Sequence, residues 1–207
     1  MASGDTKLSI CSDSLIMLGA SPLSSFSEGT DAAQICDRLY DDMLVQLLCK
    51  YPFSFTLKKS QLARLADAPA SEWTHAYALP SDLIGSGARA LFTSSTAGAS
   101  PQTDGWEVYA GQIFTDFTEV HIDYQFKPDE SVMPSYFVQL IKYYCCWHFA
   151  EAVTDQITKA QYWQSVAVGA PSENGRGGAF REAVNVDGAT SPSNNILDFA
   201  LIEARNS

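Results

Sequence analysis

The sequence predicts an α+β fold, with an antiparallel helical bundle built from both chain ends, an inserted small antiparallel β subdomain and an extended C-terminal tail. Apolar residues recur three and four apart in the flanking segments, whereas they alternate with polar residues in the middle. From Gly169 onward, glycine and proline interrupt any regular pattern. We therefore assign residues 1–70 and 128–168 to the bundle, 71–127 to the β subdomain and 169–207 to a flexible tail.

The first two helices follow from apolar stripes and from residues that suit helix ends. The first runs from about Asp5 to Leu18, because Gly19 can adopt the left-handed conformation that ends a helix. The second begins after Thr30, whose hydroxyl is a suitable N-cap. It stops near Lys50, since a proline two residues later disfavours helical geometry just before it.

The stretch of residues 71–84 marks the change from helical spacing to alternation. Trp73 and Tyr77 can bury large surfaces there, and Pro80 cannot continue a helix. Phe53 and Phe55, two residues apart, predict an extended segment that presents both rings to one side. We interpret these residues as a structural joint that packs the β subdomain against the helices. Its predicted members are Phe53, Phe55, Trp73, Tyr77, Leu79 and Pro80.

Strands are predicted where apolar and polar residues alternate between turn residues. The clearest is 120–126, in which Val, Ile, Tyr and Phe share one face. Residues 106–109 and 112–115 read as a hairpin around Ala110 and Gly111. Two further strands are expected within 76–84 and 88–93. The segment 61–70 fits only a single helical turn.

Two more helices are predicted after the strands. Pro134 suits the first turn of the third helix, where a missing amide N–H costs nothing. That helix is apolar nearly all round, which is typical of a central or interface helix. Thr154 or Asp155 is expected to cap the fourth helix, which runs through Ile157, Ala160, Trp163 and Ala167.

The composition argues against several functional classes. The chain of 207 residues carries 13 basic and 24 acidic side chains, a net charge of −11. Tight binding to duplex DNA needs clustered Lys and Arg, so such binding is disfavoured, although DNA could slide past an acidic wall. No run of about 20 apolar residues predicts a membrane span. The five cysteines show no disulfide spacing and suit a reducing cytoplasm.

No metal or cofactor site is predicted. Cys145 and His148 share a helix face, but no further Cys or His pair completes a four-ligand zinc site. We therefore expect this cluster to be core packing. The run from Gly85 to Ala90 fits a dinucleotide-binding pattern formally, yet a strand and not a helix is expected to follow it.

No coherent catalytic constellation is visible, and we expect the protein not to be an enzyme. The alternative is a glycoside hydrolase that acts through two carboxylates. Glu151 could pair with Asp155, or Glu72 with a later acidic residue. Any acidic protein offers such pairs, and the acidic residues Asp37, Asp41 and Asp42 are expected to form a solvated helix face.

Two groups of residues are candidate contacts with a partner. Lys58, Lys59 and Arg64 form a local basic concentration, which is either a solvated edge or a contact with an acidic surface. An apolar segment also lies near the chain end, and it would dock onto its own chain or onto a neighbour. Its apolar members are Ile196, Leu197, Phe199, Leu201 and Ile202.

Several of these stretches, taken together, resemble the tail tubular protein A family, the head-to-tail adaptors of short-tailed bacteriophages. The most specific is the Trp-x-x-Ala-Tyr-x-Leu-Pro-x-Asp run at 73–82, together with Tyr-Pro-Phe-Ser-Phe at 51–55. The first helix (10–19), the second helix (32–41), the strand that contains Tyr124 and the aromatic third helix also fit. The resemblance covers about residues 5 to 168.

The resemblance implies a structural role in the virion. Proteins of this family form a ring of about twelve copies beneath the portal, receive the tail nozzle below and complete the DNA channel. By this resemblance the chain would be made in the host cytoplasm and reside in the tail. It would contact a portal protein and a nozzle protein, and it would neither bind a membrane nor bind DNA specifically. The segment 196–202 would then clasp a neighbouring subunit.

Overall fold

The chain is an α+β protein of five helices and two small antiparallel sheets, seen in a computed structural model that describes residues 4–67, 69–85, 87–96 and 98–190. The helices are α1 (Lys7–Leu18), α2 (Asp31–Cys49), α3 (Ser135–Thr154), α4 (Ile157–Val168) and α5 (Gly178–Thr190). The strands are β1 (Leu57–Gln61), β2 (His75–Ala78), β3 (Ala90–Phe92), β4 (Trp106–Tyr109), β5 (Gln112–Thr115) and β6 (His121–Gln125). Single 3-10 turns cover Ser54–Thr56, Glu130–Val132 and Pro171–Glu173.

The helix ends expected from the sequence are largely confirmed. The Thr30 hydroxyl accepts a hydrogen bond from the Ala33 amide and caps α2. Gly19, with φ of 83°, ends α1 in the left-handed conformation. The boundary between α3 and α4 differs from the expectation, because Asp155 takes the left-handed conformation that ends α3, and α4 begins only at Ile157.

Helix α3 is the centre of the larger hydrophobic core and packs against each of the other four helices. Nine of its side chains are buried, which agrees with its nearly all-round apolar sequence. Helices α1 and α2 also contact each other, as do α4 and α5. The largest side chains fully buried in this core include Tyr40, Phe53, Phe137 and Phe149.

The two sheets have three strands each, in the orders β1-β6-β3 and β2-β5-β4. In the first sheet, Leu57 pairs with Gln125 and Gln61 with His121. In the second, the predicted hairpin of β4 and β5 is present, with Tyr109 opposite Gln112. The sheets share a second, smaller core. It contains Leu62, Tyr77, Leu91, Ile113, Val120, Ile122 and Tyr124.

Two segments differ from the sequence-based expectation. The sheets include β1, which lies before residue 71, so the expected start of the β region is too late. The segment after Gly169 was expected to lack regular structure, but its residues 178–190 form α5. Phe180 and Ala183 of α5 are buried in the larger core, and this burial stabilises a helix that begins at a glycine. The remaining predicted tail residues, 191–207, lie outside the described residues.

Candidate functional site

The helices and the sheets are joined at the 3-10 turn that leads from α2 into β1. Gln125, in β6, reaches the segment between α2 and this turn, where its Nε2 donates hydrogen bonds to the Leu48 carbonyl at 2.7 Å and the Tyr51 carbonyl at 3.0 Å. Its side chain thereby satisfies carbonyl groups left open at the end of α2. The Phe126 amide in turn donates to the Thr56 carbonyl at 2.9 Å. We call this set of contacts the joint.

Phe53 and Phe55 lie on the helical side of the joint. Both rings contact the Phe137 ring, each with a centroid distance of 5.0 Å. The expected extended segment is wrong, because Ser54–Thr56 forms a 3-10 turn and the Thr56 hydroxyl donates to the Phe53 carbonyl. The turn still presents both rings to α3. Phe53 is fully buried, and Phe55 is half-buried against the same core.

The other predicted joint residues lie within the β region instead of between it and the helices. Tyr77 is buried in the small core, where its hydroxyl donates to the Phe117 carbonyl at 2.8 Å, and Leu79 packs against the same core. Trp73 is half-buried, and its indole Nε1 donates to Glu107 on β4 at 3.1 Å. Pro80 opens the turn in which its carbonyl accepts from the Leu83 amide. These residues contact other parts of the β region, and the sequence pattern alone does not identify those contacts.

Asp82 ends the aromatic run at 73–82 and connects two strands of the first sheet. It accepts hydrogen bonds from the Lys58 ammonium at 2.8 Å and from the Tyr124 hydroxyl at 3.0 Å. The hydrogen bond from Lys58 lowers the pKa of Asp82. The polar atoms of Trp73, Tyr77 and Asp82 therefore all have partners inside the β region. The run specifies a fold and does not assemble a reactive site.

The three predicted basic contact residues do not form one patch. Lys58 and Lys59 are successive residues of β1, so their side chains point to opposite faces of the sheet. Lys59 lies 3.2 Å from Asp123 and 4.0 Å from the centre of the Phe92 ring. Arg64 forms an isolated backbone bridge with Tyr77. Both lysines are engaged within the chain, which weakens the case for a shared acidic partner at this edge.

Asp187 fastens α5 to the joint. Its carboxylate accepts hydrogen bonds from the Ser54 amide at 2.9 Å, the Ser54 hydroxyl at 2.7 Å and the Tyr136 hydroxyl at 2.6 Å. The residue is 2% exposed. A buried carboxylate with several donors is well compensated and costly to disturb. The sequence analysis missed both Asp187 and Gln125, and the spacing of Phe180, Ala183 and Val184 is the signal that would have identified α5.

The Cys145-Cys146-Trp147-His148 segment lies in the larger core. Both cysteines are buried, and burial raises the pKa of Cys146 to about 12. The Cys146 thiol donates to the Ser14 carbonyl at 3.4 Å. Burial lowers the pKa of His148, and its Nε2 atom has no hydrogen-bond partner. Within the described ranges, no group of three His, Cys, Asp or Glu side chains could hold a metal ion.

The carboxylates of the hydrolase alternative are exposed, and Glu72 lies in a different region from Glu151 and Asp155. Glu72 precedes β2, whereas Glu151 and Asp155 lie at the C-terminal end of α3. The structure therefore separates Glu72 from the other two by placing them on different elements. In the described part of the chain, no helix is both long and apolar enough to cross a bilayer.

Two exposed surfaces of the helical part lie on opposite sides of α3. The first, which we call the α2–α3 groove, has a volume of about 710 Å³ and is lined by Ile35, Arg38 and Leu39 of α2 and Ala152 of α3, among others. The second, which we call the aromatic face, contains Tyr143 of α3 and Tyr162 and Trp163 of α4. Tyr143 stacks on Trp163 at 5.6 Å, and Tyr162 meets the same ring at 5.3 Å.

The spacing along α3 fixes the relative direction of these surfaces. Tyr143 and Ala152 are nine residues apart, about two and a half helical turns, so they point to opposite sides of α3. Leu39 in the groove is 40% exposed and Tyr162 on the aromatic face is 60% exposed. Exposed aromatic and aliphatic side chains of this size are typical of protein contact surfaces.

Comparison with solved structures gives a weak likeness. No family model matches the chain, and no curated protein matches it. Among solved structures, the chain is similar to one in a structure described as the neck of an empty GTA particle computed with C6 symmetry. The match has 12% identity and a TM-score of 0.29, and covers 79% of this chain and 94% of the other. A likeness with so low a TM-score carries no argument about function.

Proposed function

We propose that this protein is a non-enzymatic virion adaptor, which assembles into a ring between the portal and the tail nozzle of a phage particle. The observation that carries the proposal is the aromatic run at 73–82. Its sequence resembles that of an adaptor family, and the polar atoms of its Trp73, Tyr77 and Asp82 side chains are engaged within the β region. A run used for architecture suits a structural protein better than a catalytic one.

The two surfaces on opposite sides of α3 supply what a ring requires. A cyclic ring uses a heterologous contact, in which two different faces of each subunit are complementary. The α2–α3 groove is concave and contains exposed Leu39, whereas the aromatic face projects Tyr162. In the proposed ring, the aromatic face of one subunit fills the groove of the next.

The charge of the chain fits passage of DNA through the ring without binding. Each chain has a net charge of −11, so the ring and the phosphate groups of DNA carry charge of the same sign and repel each other. We therefore expect weak affinity for DNA near physiological salt. By the family resemblance, we expect the helices to contact the portal and the β region to face the nozzle. The number of subunits expected from the resemblance is about twelve.

The ring contact is tested by two charge-introducing variants, Leu39→Glu and Tyr162→Glu. Each variant retains one intact face, so each alone should fail to form rings on the portal of the same virus. An equimolar mixture should give pairs that stop at two subunits, because only one productive contact remains. Electron microscopy and sedimentation velocity measure both outcomes. Tyr109→Glu, at an equally exposed position of the β region, is the matched control and should still assemble.

The proposal is contradicted by rings that form normally with both variants, or by an unmodified protein that never joins the portal. If the unmodified protein is monomeric alone and assembles on the portal, the proposal is supported, because the portal can act as a template that positions neighbouring subunits. Zymography addresses the absence of enzymatic activity. Clearing of a cell-wall or polysaccharide substrate that is lost in Glu72→Ala or Glu151→Ala would favour the hydrolase instead.

A further inference from the structure

A groove beside α5 combines positive charge with an apolar floor. We call it the cationic groove; its volume is about 520 Å³, and it lies between α5 and the segment that follows α2. Lys50, Arg176 and Arg181 line its rim. Its floor is formed by Tyr51, Pro52, Phe180 and Val184. A groove of this size and composition can take a short peptide with apolar side chains and a negative charge.

The positive charges of the groove are largely uncompensated. In the residues that the structure describes, no carboxylate lies within ion-pair distance of Lys50, whose ammonium sits 5.2 Å from the centre of the Tyr144 ring. Burial lowers the pKa of this lysine. Arg181 is 3.5 Å from Glu173, but its side chain is 65% exposed and free to reach a second anion. Three cations thus converge in a chain whose net charge is −11.

We propose that the cationic groove is occupied by residues 196–203 of the same chain. This segment, Ile-Leu-Asp-Phe-Ala-Leu-Ile-Glu, lies outside the described residues, and its sequence has the complementary character. Five of its residues are large and apolar, which matches the floor, and Asp198 and Glu203 match the rim. The inference requires neither the ring nor the portal, so it can be correct whether or not the protein is an adaptor.

The length of the intervening chain allows this contact. Helix α5 ends at Thr190, and its groove residues Val184 and Phe180 lie about 9 and 15 Å back along the helix axis. The five residues 191–195, Ser-Pro-Ser-Asn-Asn, are turn formers that favour reversal of the chain. Fully extended they span at most about 17 Å, which suffices to bring residue 196 to the groove.

The tether favours the same chain over a second copy. A short linker holds the segment near its groove at an effective concentration on the order of millimolar, well above that of a dilute second copy. Helix α5 itself is fixed to the joint by Asp187, so one wall of the groove is preformed. Binding to a preformed wall requires less ordering than folding of both partners.

Engineered disulfide formation in the full chain tests the proposal. In a Cys49→Ser background, which removes the exposed native thiol, Asn185→Cys on the groove is combined with Leu201→Cys. We expect an intramolecular disulfide that forms at least about tenfold faster than in the control pair Glu151→Cys and Leu201→Cys. Glu151 is exposed at the far end of α3. Non-reducing gels and mass spectrometry separate intramolecular from intermolecular products.

A charge swap then tests the complementarity. The double variant Arg176→Glu and Arg181→Glu should slow disulfide formation by about fivefold. Addition of Asp198→Lys and Glu203→Lys should restore the rate, because opposite charges face each other again. Equal rates for the groove and control pairs, disulfide-linked dimers as the main product, or no restoration by the swap would each overturn the proposal.

Discussion

The helical and β regions are held together in different ways. In the described residues, the helical core buries 27 side chains, whereas the core shared by the two sheets buries seven. The β region instead relies on polar side chains. Trp73 donates to Glu107, and the Thr115 hydroxyl donates to the Gly105 carbonyl at 2.7 Å. The helical region thus depends mainly on apolar burial, and the β region depends on specific hydrogen bonds and on the joint.

This difference predicts how the stability of each region changes when a buried side chain is truncated or a contact is lost. Three-stranded sheets with a small core are close to the lower limit of independent stability. The helical core is large enough to remain folded after the loss of one contact. We therefore expect the β region to open first under denaturant, with the helices still formed. Four substitutions test this comparison.

Phe137→Ala should produce the largest effect. Phe137 is fully buried and contacts both Phe53 and Phe55, so its truncation leaves a cavity in the helical core at the joint. The expected loss in free energy of unfolding is about 4 kcal/mol. Urea unfolding followed by far-ultraviolet circular dichroism measures it. Val132→Ala, at a residue that is 55% exposed, is the control and should change stability by less than about 0.5 kcal/mol. Equal losses in free energy of unfolding for Phe137→Ala and Val132→Ala would contradict the buried position of Phe137.

Gln125→Leu should separate the two regions. The substitution removes two hydrogen bonds and leaves the Leu48 carbonyl without this donor, at a cost of about 2 kcal/mol, whereas the Tyr51 carbonyl still accepts from the Phe53 amide. Trp73 and Trp106 report on the β region, and Trp147 and Trp163 report on the helices. With the latter two replaced by Phe, tryptophan fluorescence should show an earlier transition than circular dichroism. Coincident transitions in this variant would show that Gln125 does not couple the regions.

Trp73→Ala should have a smaller effect than the motif suggests. Full burial would predict a loss of about 3 to 5 kcal/mol, but Trp73 is half-buried, and we expect about 1 kcal/mol from its contact area and its bond to Glu107. Trp73→Phe retains the ring and loses only the indole donor, so it separates these two contributions. A loss above about 3 kcal/mol would indicate that the ring is a core residue.

Asp41→Asn should give the smallest effect, and one that depends on pH. The hydrogen bond from Lys127, with that from Lys7, lowers the pKa of Asp41 in the folded protein. Because the pKa is lower in the folded protein, ionised Asp41 stabilises the fold at pH values above the unfolded pKa of about 3.9. This stabilisation is lost as the pH falls through the folded pKa. The Asp41 side chain is 51% exposed, so we expect less than about 1 kcal/mol. The difference from the unmodified protein should be present at pH 7 and should decrease as the pH falls below the unfolded pKa of about 3.9. A difference that persists in acid would contradict this assignment.

Local signals in the sequence predicted most of the helical region. Thr30 and Gly19 mark helix ends through their own chemistry, so neighbouring residues suffice to identify them. The β4–β5 hairpin was predicted for the same reason. The run at 73–82 was recognised as structural, although it was assigned to the wrong contact. Tyr77 packs within the sheets because of strands that come up to 47 residues later, and sequence spacing does not encode that pairing.

Elements that depend on distant partners were missed. Strand β1 is mostly polar and exposed, and it forms because it pairs with β6, about 60 residues later. Helix α5 begins at one glycine and contains another, and such a pattern predicts an interruption of regular structure. Its stability comes from buried Phe180 and from the bonds between Asp187 and Ser54. Both residues at the joint that tie its parts together, Gln125 and Asp187, act across long separations in the chain.

The bonds of Asp187 also bear on the order in which the protein is made. Gln125 closes onto a residue that was synthesised 77 positions earlier, and Asp187 onto Ser54, 133 positions earlier. At a translation rate of about 5 to 20 residues per second, the second gap lasts about 7 to 27 s. During that time the Ser54 amide has water as its partner, while α1 and α2 are already synthesised and the strands of both sheets follow. The joint is therefore completed in the order of synthesis, first by Gln125 and last by Asp187, and a nascent chain that stops before residue 187 lacks these final hydrogen bonds.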